Sequence, residues 1–256
     1  MKTPKKHAVM SRAKSQIQHT LARIEQDKRL ASAVSVPMAQ GLSTAEDIRA
    51  ELRALNQQAQ QLKYTLEPVF AVITLVIILP LFLLLGALVY CTSPGPVFYR
   101  STRIGYKGQA FGMMKFRTMR PDADLHRDTL RQANAQDRQL FKLNNDPRST
   151  WIGKLLRKTS LDELPQLLNI IWGDMSFVGP RPLPPEESQW LQEEAPLRFA
   201  VKPGVTGLWQ ISARSIQQLN VVSALDCDYV RNWSIKKDLA IIAKTIPAVL
   251  FGRGAC

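Results

Sequence analysis

Residues 158–182 read Lys-Thr-Ser-Leu-Asp-Glu-Leu-Pro-Gln-Leu-Leu-Asn-Ile-Ile-Trp-Gly-Asp-Met-Ser-Phe-Val-Gly-Pro-Arg-Pro, and this stretch decides how the chain is read. Leu161, Leu164, Leu167, Leu168 and Ile171 recur at helical spacing, which predicts a helix with one apolar face and with Asp162 and Glu163 in its first turn. Two readings of the acidic pair stand side by side. Ser160 followed by Glu163 fits a capping box, in which hydroxyl and carboxylate satisfy orphan backbone N–H groups. Pro165 instead favours a start nearer Asp162, because its ring and missing N–H fit only the first turn; free N–H groups would then face an anion. Arg157 precedes the pair, and Arg181 follows it between two prolines that restrict the backbone on either side.

Upstream, residues 69–90 (VFAVITLVIILPLFLLLGALVY) carry no charge. About 20 apolar residues suffice to cross a bilayer as a helix. Pro80 sits in the middle and removes a backbone hydrogen bond. The flanks are basic on both sides, with Arg49, Arg53 and Lys63 before and Arg100, Arg103 and Lys107 after. A segment whose two ends both prefer the cytoplasm enters and turns back. The expectation is a re-entrant helical hairpin bent at Pro80, with a kinked full span as the alternative.

Around these two stretches the 256 residues divide into three expected parts. Residues 1–62 form a basic, largely helical extension, with a thin apolar stripe (Ile17, Leu21, Ile24), a linker at 31–43, and a helix capped by Ser43 and Glu46. The near-heptad spacing of Ile48, Leu52, Leu55 and Leu62 allows self-association as a homodimer, or a solvated helix lying on the membrane. Residues 63–95 are the membrane-inserted part, and 96–256 the catalytic domain. The fold class expected is α+β: a small, mostly helical cytosolic domain with short strands, anchored by the hairpin.

A formal net charge of +13 implies an anionic partner: nucleic acid, an anionic membrane surface or a phosphorylated substrate. Cations interleaved with turns and acids do not form the continuous stripe that nucleic acid would need. Cys91, Cys227 and Cys256 lack metal-ligand spacing and read as ordinary thiols in a reducing compartment. The first long apolar run begins only at Val69, so no N-terminal secretory signal is expected.

Within the domain, 97–100 and 111–119 read as strands, and Lys115 and Arg117 should share one face, which is either a phosphate grip or a solvated basic face. Residues 202–211 read as a turn and a strand, 221–233 as a helix carrying Asp226, and 239–251 as an apolar segment broken at Pro247. An anionic substrate, a membrane dip and an acidic pair flanked by arginines suggest phosphoryl chemistry at a bilayer. A carboxylate can attack phosphorus and form an acyl phosphate. Mg²⁺ held by carboxylates and substrate oxygens would neutralise a diphosphate, and arginines would hold the remaining oxygens.

Residues 93–119, 146–182 and 202–214 closely resemble the bacterial sugar transferases, the monotopic polyprenyl-phosphate phosphoglycosyl transferases. The resemblance covers roughly residues 63–256. It implies transfer of a hexose 1-phosphate, galactose or glucose, from a UDP-sugar to undecaprenyl phosphate with release of UMP, at the bacterial inner membrane with the catalytic domain facing the cytoplasm, as the first step of exopolysaccharide or O-antigen synthesis. It implies Asp162 as the nucleophile that carries the phosphosugar, and Glu163 as its partner in Mg²⁺ or proton handling. It further implies Arg157, Arg181, Lys115, Arg117 and Asp226 as substrate- or phosphate-binding positions. Where relatives open the hairpin with Lys-Arg and an Asp and bend it at Ser-Pro, this chain has Lys63-Tyr64, Glu67 and Leu79-Pro80. Two rival functions remain: a membrane-anchored adaptor with a basic face, and a glycosyltransferase that moves only the sugar and releases UDP.

Overall fold

The computed structural model describes residues 45–120, 123, 146–188, 195–212 and 218–250, with side chains omitted at 45–55, 195–196 and 248–250. The Ile17–Ile24 stripe, the 31–43 linker, the Ser43 cap, most of the polar stretch 120–145 and Arg214 lie outside these residues, as do the seam side chains Ile48, Leu52 and Leu55. The chain forms two compact units, 1–55 and 56–256. Of the first, only the opening of a helix is described.

That helix, α1 (Ala45–Ile77), runs through Pro68 and stops at Ile78. Helix α2 (Leu79–Thr92) follows at once, with Pro80 in its first turn. Ile78 still donates to the Thr74 carbonyl, and Phe82 donates to Ile78. Pro80 has no N–H to offer Val76 and its ring crowds that carbonyl, so the axis breaks two residues before it. The limb Asn56–Ile77 and α2 meet at 69°. Among the described residues no single helix is long and apolar enough to cross a membrane; the bent pair together meets the length and composition of a span or a re-entrant loop. Its outer faces are apolar and exposed, with Val69, Phe70, Val76, Ile77, Leu83 and Leu84 all open.

The inner faces pack on a mostly helical body with short strands. β1 (Phe98–Ile104) and β2 (Ala110–Phe116) form an antiparallel hairpin in which Phe98 pairs with Phe116 and Ile104 with Ala110. Phe82, Phe98 and Phe116 cluster with ring centroids 5.0–5.9 Å apart, tying α2 to this hairpin. Next come α3 (Trp151–Thr159), a 3₁₀ turn (Leu161–Glu163) and α4 (Gln166–Trp172). A second, parallel pair joins β3 (Ser176–Val178) to β4 (Gly204–Thr206), and between them lie the one-turn α5 (Pro185–Ser188) and a 3₁₀ segment (Ala195–Ala200). α6 (Leu208–Ser212), α7 (Leu219–Arg231) and α8 (Ile235–Leu250) complete the described chain.

Three expectations change here. Residues 208–212 are helical and only Gly204–Thr206 is strand, so the predicted turn-and-strand ends early. α8 continues through Pro247, where the carbonyl that loses its donor, Ala243, belongs to an exposed residue. The capping box is also absent: Ser160 is the left-handed C-cap of α3 (φ 59°), its backbone N–H bonded to the Arg157 and Leu156 carbonyls. The acidic pair therefore occupies a separate 3₁₀ turn, and α4 begins only after Pro165, as the proline demands.

β3 and β4 approach so closely that a Cβ on Gly179 would lie 2.4 Å from the Lys202 carbonyl oxygen and 2.8 Å from the Gly204 nitrogen, both backbone atoms unable to yield. Gly179→Ala is expected to lower stability by about 1–3 kcal/mol through overpacking, read as a lower denaturant midpoint in detergent. An unchanged midpoint would contradict this packing.

Candidate active site

Thr150 caps α3 by accepting from the Gly153 N–H at 3.0 Å, and the Met119–Ser149 bridge fixes where that helix starts. Its last turn carries Arg157, whose Nη1 donates to Ser149 Oγ at 3.2 Å. The 3₁₀ turn that follows presents Asp162 and Glu163 toward β2. Lys115 Nζ, on β2, donates to Glu163 Oε1 at 2.7 Å and stands 3.8 Å from Asp162 Oδ2. Arg181, in the Pro-Arg-Pro turn after β3, reaches the same Glu163 oxygen at 3.5 Å and lies over the Trp209 indole at 5.8 Å. Asp162, Glu163, Lys115, Arg157 and Arg181 are thus brought together from four separate pieces of chain.

Asp162 is 8% exposed, and among the described residues its carboxylate accepts no hydrogen bond. Burial pushes its pKa above the ordinary carboxylate range. Lys115 opposes that rise, Glu163 adds to it, and Arg157 and Arg181 pull down less strongly. A half-desolvated carboxylate of raised basicity is a better nucleophile than one saturated with hydrogen bonds.

The other two expected positions lie elsewhere. Arg117 does not share a phosphate-facing side with Lys115: β2 ends at Phe116, and the Arg117 guanidinium turns to donate to the Pro94 and Ser93 carbonyls just after α2. Asp226 on α7 is fully buried; the Arg181 backbone lies against its carboxylate, and Arg198 ties the two more firmly. Arg198 Nη2 donates both to Asp226 Oδ2 (2.6 Å) and to the Arg181 carbonyl (2.7 Å), so this ion pair holds the backbone of the Pro-Arg-Pro turn. Arg198 was not singled out from the sequence, where it sits in an unmarked Pro-Leu-Arg-Phe run. Arg103 was also missed as a site residue; it faces Arg181 and Glu163 from the end of β1.

No group of three or more His, Cys, Asp or Glu side chains gathers into a metal cage among the described residues. The adjacent carboxylates Asp162 and Glu163 do suit Mg²⁺, which takes one or two carboxylates and completes its shell with water and substrate phosphate oxygens. Cys91 is exposed and Cys227 buried, and neither is in a disulfide.

The profile of the family described as bacterial sugar transferase matches residues 58–252. The chain belongs to that family. This sugar transferase is 42% identical over 217 residues to an exopolysaccharide production protein ExoY of Sinorhizobium fredii, covering 83% of this chain and 96% of the relative. It is 38% identical over 214 residues to an undecaprenyl-phosphate galactose phosphotransferase of Salmonella typhimurium, covering 81% of this chain and 44% of that protein. A UDP-glucose:undecaprenyl-phosphate glucose-1-phosphate transferase of Caulobacter vibrioides is 36% identical over 196 residues, covering 73% of this chain and 69% of that relative.

Burial raises the Asp226 pKa to about 6 from an unfolded value near 3.8, with Arg198 opposing. The folded transferase therefore binds this proton more tightly than the unfolded chain does. The stability that proton contributes is full below pH 3.8 and is lost as pH rises through about 6. Relative to Asp226→Asn, wild type should lose up to about 3 kcal/mol between pH 4 and pH 7 in paired denaturant titrations. A constant difference across that range would show that Asp226 does not titrate as a buried acid.

Proposed function

We propose that this chain transfers a hexose 1-phosphate, galactose or glucose, from a UDP-sugar to undecaprenyl phosphate and releases UMP, initiating exopolysaccharide or O-antigen synthesis at the cytoplasmic face of the bacterial inner membrane. The observation that carries the reading is the Asp162 carboxylate, buried and without a hydrogen bond among the described residues, facing Lys115 at 3.8 Å with arginines close by. The activities for which the Salmonella and Caulobacter relatives are named supply the acceptor and the two candidate sugars. The bent pair α1–α2, apolar on its outer faces and flanked by basic residues on both sides, supports a re-entrant anchor that would keep the site at the membrane surface where a polyprenyl phosphate head lies.

In the first half-reaction an Asp162 carboxylate oxygen forms a bond to the sugar-bearing phosphorus, and the bond from that phosphorus to the UMP oxygen breaks. UMP departs as an anion, so no proton need move. In the second, a phosphate oxygen of undecaprenyl phosphate attacks the same phosphorus and the Asp162 oxygen leaves, restoring the carboxylate. Lys115 and Arg181 hold Glu163 beside Asp162, and Arg157 and Arg181 add positive charge where the transferred group becomes most anionic. Asp162 and Glu163 would hold Mg²⁺ with the diphosphate oxygens, the ion supplying charge neutralisation when bound.

The test is nucleotide release from detergent-solubilised protein given Mg²⁺, undecaprenyl phosphate and a panel of UDP-sugars. Wild type should release UMP with one donor, and Asp162→Asn should lower that rate by about 10³-fold or more while folding normally. Near-normal turnover in the variant would remove Asp162 from the nucleophile role, and UDP in place of UMP would make the protein an ordinary glycosyltransferase.

The same assay carries a pH prediction. The nucleophile works only as the carboxylate, and its pKa is raised, so the rate should fall on acidification at a pH above the ordinary Asp value of about 3.9. An acid limb at or below that value would mean Asp162 is not the titrating group.

A further inference from the structure

Arg103 is a cation that neither the acidic pair nor the packing accounts for. In the β1–β2 register Arg103 stands opposite Phe111, Ser101 opposite Met113 and Tyr99 opposite Lys115. Directly opposed residues, and alternate residues along a strand, share a face. Arg103 and Lys115 therefore lie on the same side of the hairpin, the side that meets Glu163. The antiparallel bridge between Ile104 and Leu183, with the Ile104 N–H donating to the Leu183 carbonyl at 3.0 Å, brings the Pro-Arg-Pro turn next to Arg103.

The Arg103 side chain is half-buried and held by one hydrogen bond, Nε to Ser101 Oγ at 3.1 Å. That bond fixes the guanidinium plane and uses one of its five N–H donors. Among the described residues Arg103 makes no ion pair; the charges around it are Arg181, Glu187 and Glu163. Glu163 already draws Lys115 to 2.7 Å and Arg181 to 3.5 Å, so one carboxylate serves several cations. Burial, and then Arg181, lower the Arg103 pKa to about 10, which leaves it charged at neutral pH. Two guanidinium groups of like charge are thus kept close together in a partly desolvated place. Each is a planar fork matched to phosphate oxygens, and an anion between them would remove the repulsion.

We propose that Arg103 and Arg181 together form a phosphate-oxyanion site beside Asp162, occupied by the diphosphate of the nucleotide donor. The assignment rests on the reading of Asp162 as the phosphoryl-transfer centre. The donor and the lipid acceptor both present phosphate oxygens, so the experiment separates them.

UDP affinity is measured by calorimetry on the full-length, detergent-solubilised protein with Mg²⁺, and KM for undecaprenyl phosphate is measured by UMP release. Arg103→Gln is expected to weaken UDP binding at least tenfold while KM for the lipid stays within twofold. Arg103→Lys keeps the charge and loses the fork, and should weaken UDP binding at least threefold. A tenfold rise in the lipid KM with UDP binding unchanged would overturn the donor assignment and place the acceptor phosphate there. Wild-type UDP affinity and wild-type lipid KM in Arg103→Lys would overturn the site altogether, whatever happens to the melting temperature of Arg103→Gln. UDP binding needs no turnover. A wild-type protein that binds UDP through Arg103 yet releases no UMP from any donor would leave the oxyanion site standing and remove the transferase reaction proposed above.

Discussion

A proline cannot donate a hydrogen bond to the carbonyl four residues before it, and the architecture of this protein turns on one such missing donor. Without the break before Pro80, α1 and α2 would make a single apolar rod with one inner face. With it, two limbs at 69° each present a separate inner face to the body. Ala71 of α1 packs with Met113, Leu167, Ile170 and Met175 under the second half of the domain. Leu85 and Val89 of α2 pack with Phe116, Ile152 and Leu156 under the first half. Helices α3 and α4, which flank the acidic turn, therefore rest on different limbs of the same bent pair.

The distance between Lys115 and the acidic pair is set by a residue that touches neither. Asn169 is fully buried on α4; its Oδ1 accepts from the Met114 N–H at 2.8 Å, and its Nδ2 donates to the Gly112 carbonyl at 2.8 Å. Both partners lie on β2, one and three residues before Lys115. The side-chain amide thus pins the strand to the helix, and Lys115 and Glu163 meet because their neighbours are already tied. A buried amide with both ends satisfied is worth keeping, since each orphaned backbone group it would leave costs about 1–3 kcal/mol. On the other side of the site, the Arg198–Asp226 pair does the same for the backbone of Arg181.

Much of this was legible in the sequence because it is local. The uncharged run at 69–90 with Pro80 marks the bent helices; the apolar spacing from Leu167 marks α4; Phe111 to Phe116 alternates as a strand; and the two prolines around Arg181 mark a rigid turn. The nucleophile candidate and its cations Lys115, Arg157 and Arg181 do converge. What escaped was set at long range or by competition between local signals. Ser160 has the chemistry of an N-cap, but α3 ends on it and takes its backbone N–H first. Arg117 alternates correctly with Lys115, yet the strand stops between them and the carbonyls of Ser93 and Pro94 claim the guanidinium. Short apolar stretches such as 204–212 do not distinguish strand from helix by period. Arg103 and Arg198 carry no local mark, since their partners come from segments distant in the chain.

The buried contacts of Lys63 impose an order on biogenesis. Lys63, at the start of the apolar limb, is ion-paired with Asp238 at 2.7 Å and donates to Tyr229, a residue 166 positions away. Glu67, one turn on, accepts from Ser176 and Phe177. A ribosome adding roughly 5–20 residues per second emits the apolar pair of helices about 7–30 s before it supplies Tyr229 and Asp238. During that interval the bent pair is present while Lys63 and Glu67 lack the partners that tie it to the body, and the acidic turn has no fixed position relative to the two apolar limbs. Truncation ahead of α8 would make that interval permanent: the nascent enzyme would carry every residue of its acidic turn and still lack the anchor that orients it.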